Sequence, residues 1–177
     1  HMLSMAPLEG SLKMYQEASR IGDKKNMLNA LNDIIIEEIN FEHKDSVNKY
    51  INSLKQFATQ EELKYLLPLY RMRLFDSLCY SGNREEIVNE ELHRSDSKTN
   101  DIYQNIASTH AIGSIFYFDK QYEKALPYIE KAIKMAEGLP EKHRYIYEKF
   151  ISWRLCLTYA HVKKNNEAIR IMERLIL

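Results

Sequence analysis

The side chains able to do chemistry are few and scattered. Histidines stand at 43, 93, 110, 143 and 161 beyond the first residue, and no two are three or four apart. A lone imidazole of this kind makes no metal site, and each is expected to be solvated or at the edge of a core. Glutamate pairs at 37–38, 61–62, 85–86 and 90–91 are adjacent in sequence. On a helix such neighbours point to different azimuths, so they read as solvated faces or first-turn complements of the helix dipole, not as an acid/base pair. Cys79 and Cys156 each lie in an apolar stretch, "FDSLCY" and "WRLCLTY", with neither a C-x-x-C nor a histidine at ligand spacing. They are expected to be small buried hydrophobes and not a disulfide. Phosphate-binding glycine loops, a G-x-S-x-G elbow and H-E-x-x-H do not occur. Asp76 with His110 would be a carboxylate and an imidazole without a nucleophile or metal to serve. The expectation is therefore a non-catalytic chain with no metal and no cofactor.

Composition narrows the partners. The 177 residues carry 25 basic and 25 acidic side chains, so no basic field exists to neutralise a phosphate backbone, and nucleic acid is not an expected partner of this segment. No apolar run approaches the roughly 20 residues of a membrane span; "IIIEEI" at 34–39 is short and carries two Glu. His1-Met2 resembles a vector-derived scar. The chain stops at "RIMERLIL" in the middle of an apolar stripe, as a fragment of a longer protein would. Unpaired cysteines lean towards a reducing, cytoplasmic setting, and a sensor-kinase input domain would instead be periplasmic.

The elements that must position these residues are helices. Only five Gly and four Pro occur, and apolar residues recur at helical spacing over 8–21, 26–41, 44–58, 61–81, 84–95, 99–119, 121–138, 141–164 and 166–177. The short polar separators predict antiparallel neighbours in an all-α fold. Gly22, Gly82 and Gly138 stand where a helix C-terminus favours a left-handed residue. Pro127 predicts a late helix start near Glu123, which would leave it in or beside the first turn.

The pattern repeats. "STHAIGSIFYFDKQYEKAL" overlays "SWRLCLTYAHVKKNNEAI" at an offset of 43, matching Gly113 with Cys156, Phe116 with Tyr159 and Ala125 with Ala168. Offsets of 38 and 40 carry the pattern upstream to "YRMRLFDSLCYSGNREEIV" and "LNDIIIEEINFEHKDSVNKYI". Units fall at about 26–58, 61–95, 99–138 and 141–177, with 8–21 as a preceding half-unit, in a single domain over 3–177.

"GSIFYFDKQYEKALPYIEKAI" resembles a tetratricopeptide repeat, through Gly113, Phe116, Tyr122, Ala125, Leu126 and Ala132. The resemblance implies a right-handed superhelix of antiparallel hairpins, in this chain about nine helices. In it, Gly113 and Ala125 mark the closest approach of two helices, Phe116 and Tyr122 fill the space beside them, and Cys156, Tyr159 and Ala168 repeat the pattern. "EASRIGDKKNMLNALNDI" (17–34) is similar to junctions in repeat regions of bacterial histidine kinases and transcription regulators, notably of Bacteroidetes.

The family also implies a concave groove lined by the first helix of each unit. Carried through the repeat, its recurring positions are Asn32, Met72, His110 and Trp153, then Ile36, Asp76, Ser114 and Leu157. Cys79, Tyr117 and Ala160 lie a turn further on, with Tyr80 and His161 beside them. Only Asn32 matches the family's carboxylate clamp, so that mode is disfavoured. The set Met72, Asp76, His110, Ser114, Tyr117, Trp153, Leu157 and His161 is aromatic and mixed polar, a composition common in recognition surfaces; Trp153 is open between groove and core. The implied function is binding of a protein, peptide or small ligand, as the sensory or scaffolding part of a bacterial signalling protein or, alternatively, as a standalone cytoplasmic adaptor. Ile169, Met172, Leu175 and Ile176 lack a following helix, so self-association through the C-terminal helix is expected.

Overall fold

The computed structural model describes residues 5–82, 84–96 and 99–176, and among them the secondary structure is nine α-helices without a strand. They are α1 (Met5–Ile21), α2 (Lys24–Asn40), α3 (Lys44–Lys55), α4 (Gln60–Ser81), α5 (Arg84–Ser95), α6 (Ile102–Phe118), α7 (Tyr122–Ala136), α8 (Glu141–His161) and α9 (Asn165–Ile176). His1, Met2 and Leu177, and Asn83, Ser97 and Lys98 of two separators, lie outside the described residues. The chain is all-α, as expected. The residues cluster into two compact units, His1–Ser77 and Leu78–Leu177, divided in the last turn of α4.

The helix ends explain the fold locally. Asp23 and Asp101 cap α2 and α6 with their carboxylates. Thr59 and Glu62 form a reciprocal box at the start of α4, with Glu62 accepting from the Thr59 N–H at 2.8 Å and Thr59 Oγ1 from the Glu62 N–H at 3.1 Å. Among the described residues, Gly22, Glu42, Gly82, Lys120 and Lys163 are at positive φ. At Gly22, Glu42, Lys120 and Lys163 the same two bonds close the turn. The left-handed residue's N–H reaches the carbonyl three back, and the next N–H reaches the carbonyl five back, all at 2.8–3.3 Å. This is a Schellman closure. That next residue's carbonyl then accepts the first bond of the following helix, from Met27, Val47, Ala125 or Ala168. Glu42, Gly82, Lys120 and Lys163 are spaced 40, 38 and 43 residues apart, the offsets of the sequence repeat.

Two local expectations fail. Gly138 is not left-handed: α7 ends in ordinary helical backbone at Glu137, and Gly138 sits in a turn closed by its N–H to the Met135 carbonyl at 3.2 Å. α7 begins at Tyr122, so Pro127 falls in the second turn and withholds the N–H that would reach the Glu123 carbonyl. It stays exposed, where water can take the orphaned carbonyl. Pro68 does the same inside α4, withholding a donor from the Lys64 carbonyl.

In the first unit, α2 packs against both α1 and α3. Its core holds Leu31, Ile34, Ile35 and Ile39 of α2, Val47 and Leu54 of α3, and Leu69, Tyr70, Met72 and Phe75 of α4. The Tyr70 hydroxyl donates to Asn32 Oδ1 at 2.8 Å and Ser77 Oγ donates to the Ile39 carbonyl at 2.9 Å, so α4 is tied to α2. Burial pushes the Tyr70 phenol well up from its ordinary range. Glu38 is not on a solvated face: it is buried, with His43 Nδ1 3.0 Å from Oε2. In the second unit, Glu91 is buried too, with Arg94 3.7 Å away.

The second unit packs α5 on α6, α6 on α7, α7 on α8 and α8 on α9, and α6 also touches α8 directly. Its core is built from Ile106, Ala107, Ala111 and Gly113 of α6, Ala125, Ile129, Ala132 and Ala136 of α7, and Tyr147, Ile151, Leu155 and Cys156 of α8. Gly113 is the close contact that its type requires. A Cβ there would lie 2.7 Å from Ile129 Cγ1 and 3.2 Å from Tyr128 Cβ. Phe116 stacks on Tyr128 beside it, with ring centroids 5.6 Å apart.

Candidate functional site

The most concentrated chemistry lies where the C-terminal ends of α6 and α8 meet, beside the last residues of α4 that belong to the second unit. Arg154 projects from α8 and is buried. Its guanidinium carbon is 4.3 Å from the Tyr117 ring centre, 4.6 Å from Phe118 and 5.5 Å from Tyr80. Nη1 donates to the Tyr80 hydroxyl at 3.3 Å. A planar, weakly hydrated cation suits such a cage, each ring face adding about 0.5–2 kcal/mol. Tyr80 meets Phe118 edge-on at 4.8 Å, and Tyr117 meets Phe118 edge-on at 5.5 Å.

The rack continues outward. His161, in the last turn of α8, stacks on Tyr122 with centroids 4.0 Å apart and planes 2° from parallel. Tyr117 presents its edge to both, at 5.3 Å from Tyr122 and 5.7 Å from His161. Burial pushes the Tyr117 phenol up, while the Arg154 charge pulls it the other way. Arg84 braces the turn that carries Phe118: Nη1 donates to the Phe118 carbonyl at 3.2 Å and Nη2 pairs with Asp119. Tyr80 and His161 are exposed, and Tyr117, Phe118 and Tyr122 are half-buried. The result is a braced aromatic shelf with hydroxyl and imidazole groups at its edge, able to stack planar or cationic side chains.

The expected groove set divides. Tyr117 and His161 meet in this shelf. His110 and Ser114 are in the interior: His110 is 0 % exposed and its ring lies 5.3 Å from Phe150 of α8. Trp153, in the slot equivalent to His110, is 51 % exposed and therefore not core, and Leu157 is half-buried. Met72 and Asp76 belong to the first unit, where Met72 is buried and Asp76 half-buried beside Arg73. At His110 the slot three before the small residue is thus where α8 packs on α6, not an open groove wall, and Met72 in the same slot is buried. Tyr122 meets both Tyr117 of α6 and His161 of α8. Cys156 and Ala168 do pack together, the buried Cys156 Sγ donating to the Ala168 carbonyl at 3.4 Å, with burial raising the thiol pKa. The Tyr159 hydroxyl donates to Glu130 Oε1 at 2.6 Å, and burial with that bond pushes its phenol well up.

No family model, curated protein or solved structure matches this chain.

Arg154 and Phe118 were not singled out from sequence, yet Arg154 had a signal. In repeat register its slot is occupied by Ala111 and Arg73, so an arginine recurs where an apolar or small residue packs. Burial lowers the Arg73 pKa. A second recurrent feature was also missed. A pocket of about 260 Å³ is lined by Ser95, Asn105, Thr109 and Lys131, among others. One of about 380 Å³ is lined by Ile133, Glu148, Ser152 and Arg174, among others. Asn105 and Glu148, Thr109 and Ser152, and Lys131 and Arg174 are each 43 apart, and Ser95 and Ile133 are 38 apart. Successive hairpins therefore leave the same hollow at their junction. Among the described residues, no group of three or more His, Cys, Asp or Glu is placed to hold a metal ion, and no helix is long and apolar enough to cross a membrane.

Proposed function

We propose that the chain is a non-catalytic helical-repeat module of tetratricopeptide type that holds a protein or peptide partner, as a scaffolding or sensory region of a bacterial signalling protein. The observation that carries the repeat reading is the left-handed turn recurring at Glu42, Gly82, Lys120 and Lys163 with the spacing of the sequence repeat. Units that recur in backbone as well as in sequence are stacked supersecondary modules, and such arrays present extended surfaces for binding. The signalling context is supported by the junction "EASRIGDKKNMLNALNDI". The binding surface is the shelf of Tyr80, Tyr117, Tyr122 and His161, because exposed rings held by a buried arginine lose little freedom on binding.

Selection of random displayed peptides on the purified protein tests this. Enriched peptides should carry aromatic, proline or arginine side chains and lose at least tenfold in affinity against Tyr80→Ala or His161→Ala, with helicity unchanged. Peptides that bind both variants as well as the parent protein would remove the shelf from the binding surface.

A further inference from the structure

The aromatic shelf of the second unit is notched and not flat. Tyr117 stands at 69° to Tyr122 and 70° to His161, and Tyr80 stands at 88° to Phe118. Tyr122 and His161 lie parallel to within 2°, and their facing sides are taken up by each other. Beneath the rings sits the Arg154 charge, its guanidinium carbon within 5.5 Å of the centres of Tyr80, Tyr117 and Phe118 alike. The Tyr80 hydroxyl accepts from Arg154 Nη1 at 3.3 Å, which leaves its own proton to donate outwards. Tyr80 is 63 % exposed, so that donor is open to a ligand. Burial makes the Tyr117 phenol harder to ionise, so it keeps its proton as well. Asp119, a carboxylate beside Phe118 that could accept from a ligand, is paired with Arg84.

We infer that the occupant of this shelf is a proline-rich segment of a partner protein, held in the polyproline II conformation. The inference rests on the shelf being the binding surface and names what that surface takes. A second cation is disfavoured, because the rings already face the Arg154 charge and that charge repels another. A broad flat ring is disfavoured too, because adjoining rings of the shelf stand nearly upright to one another. A pyrrolidine ring is compact and apolar and fits a notch of this kind, and the shelf has two, Tyr80 with Phe118 and Tyr117 with Tyr122. Polyproline II leaves its carbonyls without internal bonds, and proline brings no N–H, so such a segment needs donors and hardly any acceptors. The Tyr80 and Tyr117 hydroxyls are donors. The segment is also extended before it binds, so little freedom is lost on docking.

Prolines three apart fall on one side of a polyproline II helix, which sets the test. Displayed peptide libraries fixed as Pro-x-x-Pro, Arg-x-x-Arg and Tyr-x-x-Tyr, and otherwise random, are selected on the whole chain. Enrichment is expected from the proline library, with binders that lose about tenfold in affinity against Tyr80→Ala and against His161→Ala. Tyr80→Phe keeps the ring on Phe118 and removes only the hydroxyl. It should cost the same binders about three- to fivefold at unchanged helicity. Tyr80 and His161 are exposed, so their variants should fold, and circular dichroism checks it. Arginine or tyrosine peptides that bind more tightly than the proline ones and weaken on Tyr80→Ala would overturn the inference and leave the shelf standing. Proline binders that hold Tyr80→Phe as tightly as the parent protein would overturn it too. Binders that are indifferent to both Tyr80→Ala and His161→Ala, or no binder from any library, would remove the shelf itself and the inference with it.

Discussion

The hairpins α6–α7 and α8–α9 occupy the same repeat slots, and they differ in what their neighbours do to them. His110 and Trp153 are equivalent, yet the imidazole is enclosed by α8 while the indole stands in solvent. Gly113 and Cys156 are equivalent too. The first leaves no room for a methyl group against Ile129, and the second fits a thiol that bonds to the Ala168 carbonyl. Burial in these two hairpins is therefore set by what packs against them, not by residue type. A polar imidazole becomes core and the largest aromatic becomes surface, because only the first hairpin has a following helix among the described residues.

That contrast can be broken by paired substitutions. Leu126→Ala removes a buried side chain and should cost about 2–3 kcal/mol in chemical denaturation. The equivalent Ile169→Ala should cost less than about 1 kcal/mol at micromolar concentration, because its side chain is already half in water. Equal losses would mean that the two faces are covered alike. A smaller difference is expected between the close contacts. Gly113→Ala should destabilise by about 1–3 kcal/mol, since Ile129 and the α7 backbone behind it must give way. An unchanged midpoint would show that α6 and α7 can part freely.

The smallest effect concerns the shared turns. Lys120 and Lys163 hold positive φ, a conformation that a side chain disfavours. Lys120→Gly and Lys163→Gly should each stabilise by about 0.5–1 kcal/mol, and additively because the turns are separate. Similar gains at both would sharpen the equivalence of the two hairpins in backbone while their faces differ.

Helix positions were legible because the apolar stripes are long and the separators short, and observed ends fall within three residues of those expected. The repeat register was legible because small and aromatic residues recur with the turns. Glu38, Glu91 and Arg154 were not, since a charge in sequence reads as solvated unless its partners are known. Arg154 is enclosed by three rings from two stretches of chain, Tyr80 of α4 and Tyr117 and Phe118 of α6, and His161 finds Tyr122 almost 40 residues upstream. No local pattern encodes such meetings.

By itself the sequence determined the helices, their order, the hairpin turns and the absence of a strong net charge, because periodicity, capping and charge balance act over a few residues or over the whole chain at once. Only the tertiary structure decided which slots are enclosed. It placed His110 and Met72 inside, left Trp153 and Ile169 outside, and gathered the aromatic shelf around Arg154. The physical reason is that a stripe says which side of a helix is apolar, while enclosure depends on whether another helix arrives to cover it.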